Sequence, residues 1–321
     1  MLREECALDP GGLAASAAPS GPEARPAVKV PAVDWWITSR CNLACDFCYG
    51  PEPGKDPVAL RGQILSAIGA CSTEVVTFCG GEPLLVRDVD VYAKRLADGG
   101  KRTILNTNGS LLLKRLAQGF GLAFSAVGLS IDGSTETVHG AMRGVKADLS
   151  VVLAAAERVL AESGVSLKLA TVVSAVNQHD LPSLAKLVGA LKPDIWRLYQ
   201  YSARGAQNSG QQRHTLSGDD FRRIAQAAAQ RAAPVLTVAA SEEQTAGCLI
   251  VDPAGNVLVP TAIGYARQGN CLDDPIDEIW AKIASPGPII ENKRWHSVLD
   301  GESAGAGKTR LADRPAGHYS G

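Results

Sequence analysis

An α/β fold, a partial (β/α)6 TIM-like barrel with a small C-terminal extension, is expected from three features of the chain. Six apolar runs of strand length alternate with longer helix-like segments. The residues suited to chemistry fall just after those runs, where the loops of a parallel sheet converge. The composition, 45% hydrophobic and 20% charged over 321 residues, is that of a folded globular protein. The strands are expected over Val33–Thr38, Glu74–Cys79, Thr103–Thr107, Ala126–Ile131, Leu167–Val173 and Ile195–Tyr201. Helices are expected over Val58–Ala70, Val89–Ala97, Leu111–Gln118, Leu149–Glu162, Leu181–Leu191 and Asp219–Ala232. Six successive βα units imply a parallel sheet, because right-handed crossovers lay each helix over it. Six strands are fewer than a closed barrel uses, so the barrel is expected to be open.

The ends read differently. Residues 1–30 are rich in Ala, Pro, Gly and Ser and read as a flexible leader. The barrel is placed at 31–232, an extension closing it at 233–300, and a flexible tail at 301–321. Arg3, Glu4, Glu5 and Asp9 interrupt what would have to be an apolar secretory segment. No run is long and apolar enough for a bilayer span, so no membrane partner is expected. With 32 Lys and Arg against 33 Asp and Glu, the net charge of −1 argues against nucleic acid as a partner. Eight clustered cysteines suit a reducing compartment, and a cytoplasmic location is expected.

The first strand is followed by SRCNLACDFCYG, in which Cys41, Cys45 and Cys48 are spaced CxxxCxxC. Three thiolates on one loop suit an iron–sulfur cluster with one iron left open. A closed structural zinc site would want a fourth ligand, which this loop lacks. After the second strand, Gly80 and Gly81 allow a sharp turn and close approach to a ligand, with Glu82 beside them for a polar or cationic partner and Pro83 closing the turn. After the third comes Thr107-Asn108-Gly109, and after the fourth Ser130-Ile131-Asp132-Gly133, each a cap or turn by itself. All four loops share one rim.

Together these motifs, with Phe47 ahead of the last cysteine, resemble the radical S-adenosylmethionine (SAM) superfamily over roughly residues 33–200. The resemblance implies one 4Fe–4S cluster held by Cys41, Cys45 and Cys48, with SAM chelated to the open iron. It implies that Gly80, Gly81, Glu82 and Pro83 receive the methionine amine, that Asn108 joins the site, and that Ser130 and Asp132 lie near the ribose or carboxylate. Arg143 resembles the family arginine that pairs with the SAM carboxylate; the other reading is a solvated surface arginine. The implied chemistry is reductive SAM cleavage to a 5′-deoxyadenosyl radical, which takes a hydrogen atom from substrate. An external one-electron reductant of flavodoxin or ferredoxin type is implied as a partner. GESAGAGKT near the C-terminus departs from a phosphate loop at Glu302 and is set aside.

For the substrate, a small sugar-like or nucleotide-like molecule is the leading expectation. Trp196, Arg197 and Gln200 resemble the viperin-like nucleotide-dehydrating branch, with Lys168 and Arg197 as phosphate contacts. Ala44, Ala170 and Ile195 stand where that branch is polar or basic. The stretch Gly255–Pro260 resembles the extension of peptide-modifying maturases, which often carries auxiliary clusters. Here Pro260 replaces a cysteine, so no auxiliary cluster is expected. Cys248, Cys271, Cys71 and Cys79 are read as buried small hydrophobes and Cys6 as exposed on the leader. A non-catalytic iron–sulfur scaffold is the remaining alternative. Either Trp35 or Trp36 should face the barrel interior, and Tyr199 and Tyr201 are candidate proton or hydrogen donors.

Overall fold

The computed structural model describes residues 29–204, 211–233, 235–240, 248–261 and 264–283. The tail expected at 301–321, and all but the last two residues of the expected leader, lie outside these. Six strands, β1 (Val33–Thr38), β2 (Val75–Gly80), β3 (Arg102–Thr107), β4 (Ala126–Ser130), β5 (Ser166–Val173) and β6 (Ile195–Gln200), run parallel and in sequence order. Between them lie α1 (Arg61–Ala70), α2 (Val89–Asp98), α3 (Leu112–Ala117), α4 (Glu136–Arg143), α5 (Leu149–Leu160) and α6 (Leu181–Leu191).

The parallel sheet is longer than the six strands expected. After α7 (Gly218–Ala232) comes β7 (Leu236–Ala240), which pairs with β6, so the parallel sheet runs past residue 232. At the other edge β8 (Leu249–Val251) pairs parallel with β1. A hairpin of β9 (Asn256–Pro260) and β10 (Tyr265–Asn270) then continues the sheet antiparallel, with α8 (Ile276–Ile283) packed on β10. The extension therefore widens the β1 edge, and its anchors are specific. The Tyr265 hydroxyl donates to the Tyr49 carbonyl at 2.7 Å, and the Ser72 amide donates to both oxygens of Asp277.

Strand alternation divides the side chains between two environments. Trp35, Ile37, Val76, Phe78, Leu105, Val127, Leu129, Leu169 and Trp196 point outward and are buried under the helices in one core. Val75, Ile104, Ala126 and Ile195 point inward and pack as a small apolar floor near the N-terminal strand ends. Above that floor the inward positions turn polar. Among the described residues no helix is long and apolar enough to cross a membrane.

Candidate active site

The polar inward positions and the βα loops enclose one open cavity of about 1110 Å3, counted with the solvent at its mouth. Cys41, Cys45 and Cys48 open onto it, as do Gly80, Gly81, Asn108, Ser130 and Arg143. From lower in the barrel come Asp34, Cys79, Asn106, Lys168 and Tyr199.

The cluster loop is held at three places. Gly81 N–H donates to the Thr38 carbonyl and Glu82 N–H to the Arg40 carbonyl, both at 2.8 Å. Gly80 sits at φ +113°, and a Cβ at Gly81 would overlap the Arg40 carbonyl. The space freed by the glycine is thus filled by the cluster loop's own backbone, not left for a ligand as the sequence suggested. Asn108 Nδ2 donates to Asn42 Oδ1 at 2.9 Å. On the far side Asp46 pairs with Arg213 and with His214, whose Nε2 lies 2.9 Å from Asp46 Oδ1. His214 is fully buried, with Nδ1 3.2 Å from Ser174 Oγ and its ring edge-on to Phe47. His214 was not singled out in the sequence, because no spacing signals a contact spanning 168 positions.

Several expected ligand residues turn out to be supports. Glu82 is fully buried and accepts from Thr107 Oγ1 (2.7 Å), Asn108 N (2.9 Å) and Leu84 N (3.0 Å), so it is spent on internal donors instead of standing open to a cationic partner. Burial raises its pKa against those bonds. Pro83 is buried beside it. Asp132 is also fully buried; it accepts from Val172 N at 2.7 Å and is ion-paired to Arg143. Arg143 is therefore no solvated surface residue. Its guanidinium lies 5.5 Å from the Phe47 ring, and the charges of Asp132 and Cys45 outweigh burial to raise its pKa. Tyr199 lines the cavity, whereas β6 ends at Gln200 and Tyr201 turns away to pack on His214. Arg197 lies beneath Tyr199, its guanidinium 5.0 Å from that ring. Trp36 lines the cavity and Trp35 lies in the outer core. Cys71 and Cys271 are buried, but Cys79 and Cys248 are only partly so.

The donor set can be tested against a metal group directly. All three loop thiols are free of disulfides. Burial pushes Cys45 up to about 11, and Arg143 opposes this by favouring the thiolate. Among the described residues no three His, Cys, Asp or Glu side chains are arranged to hold a single ion. Glu82 and Asp132, spent on internal partners, supply no fourth ligand. Three thiolates with no fourth protein ligand suit the donor chemistry of an iron–sulfur cluster with one open iron, whereas a closed mononuclear site wants four ligands.

Comparison with known proteins agrees. The family described as the Radical SAM superfamily matches residues 36–188. A pre-heme d1 synthase of Dinoroseobacter shibae is 32% identical over 204 residues, covering 60% of this chain and 49% of its own. An S-adenosylmethionine-dependent nucleotide dehydratase of Lacinutrix mariniflava is 28% identical, covering 56% of this chain and 40% of its own. The chain spans about half the length of the curated relatives it matches. Among solved structures, Streptococcus suis SuiB bound to S-adenosylmethionine superposes with a TM-score of 0.59 at 15% identity, covering 83% of this chain and 68% of that one, a likeness of fold.

Proposed function

We propose, from the premise that residues 36–188 belong to the radical SAM superfamily, that the chain would use a cluster held by Cys41, Cys45 and Cys48 to generate a radical from SAM and direct it at a small anionic molecule. The chain is an enzyme of that superfamily, which works with a 4Fe–4S cluster and SAM. The observation that carries the finer reading is the single cavity onto which the three free thiols and the Lys168 ammonium both open. Once bound, the cluster and SAM supply a 5′-deoxyadenosyl radical able to break a C–H bond.

The protein's own share is holding and shielding. Cys41, Cys45 and Cys48 would hold the cluster. Arg143, aimed by Asp132, presents a fixed cation for the SAM carboxylate, and Ser130 offers a hydroxyl to the nucleoside. The carbonyls of Gly80 and Gly81 would be left to accept from the amine, since the Gly81 amide and the Glu82 carboxylate are occupied. Deeper in, Lys168 crosses β4 at Gly128, where a Cβ would stand 2.6 Å from Lys168 Cε. That glycine lets the ammonium enter the cavity, where it suits a carboxylate or phosphate. The relative named as a nucleotide dehydratase acts on a phosphate-bearing molecule, which supports this class. An external one-electron reductant would feed the cluster.

The test is anaerobic. Reconstituted protein should bind about four irons and, given SAM and dithionite, release 5′-deoxyadenosine detectable by mass spectrometry. Nucleotides and polycarboxylates should raise that yield more than neutral sugars or peptides. An intact cluster that binds SAM but never cleaves it, with any candidate present, overturns the proposal.

A further inference from the structure

Below the cluster loop the cavity wall carries two groups that holding SAM does not use, Cys79 on β2 and Asp34 on β1, and Cys248 just before β8 bonds to Asp34. Cys79 lines the cavity immediately ahead of Gly80 and Gly81. Its strand neighbour across β1 is Trp36, another cavity residue. Asp34 faces the same space and is hydrogen-bonded by the Cys248 thiol and Thr77. Beside them Asn106 Oδ1 is buried without a hydrogen-bond partner, although Asn106 lines the cavity. A buried acceptor left unsatisfied costs about 1–3 kcal/mol, which points to a ligand donor at this level.

We infer that Cys79 is a hydrogen-atom donor to carbon radicals formed in this cavity, an inference that rests on the radical chemistry proposed above. Its S–H bond breaks and one C–H bond forms, leaving a sulfur radical on Cys79. One electron from the external one-electron reductant and one proton, passed by Asp34 or solvent, restore the thiol. The transfer is downhill because an S–H bond is weaker than the C–H bond formed. Burial pushes the Cys79 thiol well up, with the Asp34 charge adding to it, so sulfur keeps the hydrogen it must donate. The Asp34 carboxylate, its own pKa raised by burial, is placed to take up a proton and pass it to the sulfur when the thiol is restored.

Thiol hydrogens exchange with solvent and carbon-bound ones do not, so the donor can be read without knowing the substrate. Reconstituted protein is equilibrated in D2O and given SAM and dithionite alone. Wild type should release 5′-deoxyadenosine carrying one deuterium, and the spin trap DMPO should mark the Cys79 peptide by mass. Cys79→Ser, whose O–H bond is too strong to donate, should bind iron and SAM as wild type does. Its 5′-deoxyadenosine should carry only background deuterium, and the peptide adduct should vanish. Tyr199→Phe should leave the label in place. Unlabelled 5′-deoxyadenosine from wild type, or a label that survives Cys79→Ser and is lost in Tyr199→Phe, overturns the assignment to Cys79 while leaving the radical chemistry standing. No 5′-deoxyadenosine at all overturns both.

Discussion

Cys45 and Cys271 are chemically the same side chain, yet their surroundings differ. Cys45 faces the cavity beside Arg143, whereas Cys271 is buried in the core under α8. Cys45→Ala should therefore abolish the iron–sulfur absorbance of reconstituted protein, and Cys271→Ala should leave the iron content unchanged. A loss of about four irons with Cys271→Ala would instead reveal an auxiliary cluster. Asp132 and Arg143 make the matching case for a charge pair. Their side chains are 0% and 11% exposed, so removing one partner strands the other away from water. Asp132→Ala should cost about 3–5 kcal/mol in urea unfolding and weaken SAM binding as Arg143 loses its aim. A cost below about 1 kcal/mol would mean that the pair behaves like a surface salt bridge.

At the level of elements, the loops after β1 and β2 act as one piece. Two backbone hydrogen bonds tie Gly81 and Glu82 to the cluster loop, and the Cβ of an alanine at 81 has backbone, not a movable side chain, in its way. Gly81→Ala should destabilise the fold by about 1–3 kcal/mol and lower the iron retained on desalting. Full iron retention with unchanged stability would show that the loops can part. Six strands were legible because each is a period-2 or fully apolar run. β7 was not, since LTVAA is short, rich in small residues and sits beyond Pro234. β8 has only three residues and is a strand because β1 offers it an edge. α4 was missed although its signals are local: Thr135 caps it, Glu136 opens it and Gly144 follows it at φ +89°. The three cysteines were legible from spacing alone, whereas His214 and the saturation of Glu82 exist only through contacts distant in sequence.

Across the whole molecule, buried carboxylates pull stability in opposite directions as pH changes. Asp56 accepts from Ser39 N and Ser39 Oγ, both at 2.8 Å, as well as from Thr38, and pairs with Arg61 at 3.2 Å. Burial opposes these contacts, but they win and hold its pKa below the usual value. A depressed folded pKa contributes stability that is present above the unfolded value, about 3.9, and is lost as pH falls through the folded one. Glu82 has the opposite sign. Burial raises its pKa, so its favourable contribution is present below the unfolded value, about 4.3, and is lost as pH rises through the folded pKa. Urea unfolding between pH 3 and 8 separates the two. Asp56→Asn should cost most at neutral pH and progressively less towards pH 3. Glu82→Gln should compare least favourably with wild type near pH 4 and gain on it towards pH 8, because only wild type then carries a charge inside the fold. Parallel curves for Glu82→Gln and wild type across that range would show that Thr107, Asn108 and Leu84 fully compensate the burial of that carboxylate.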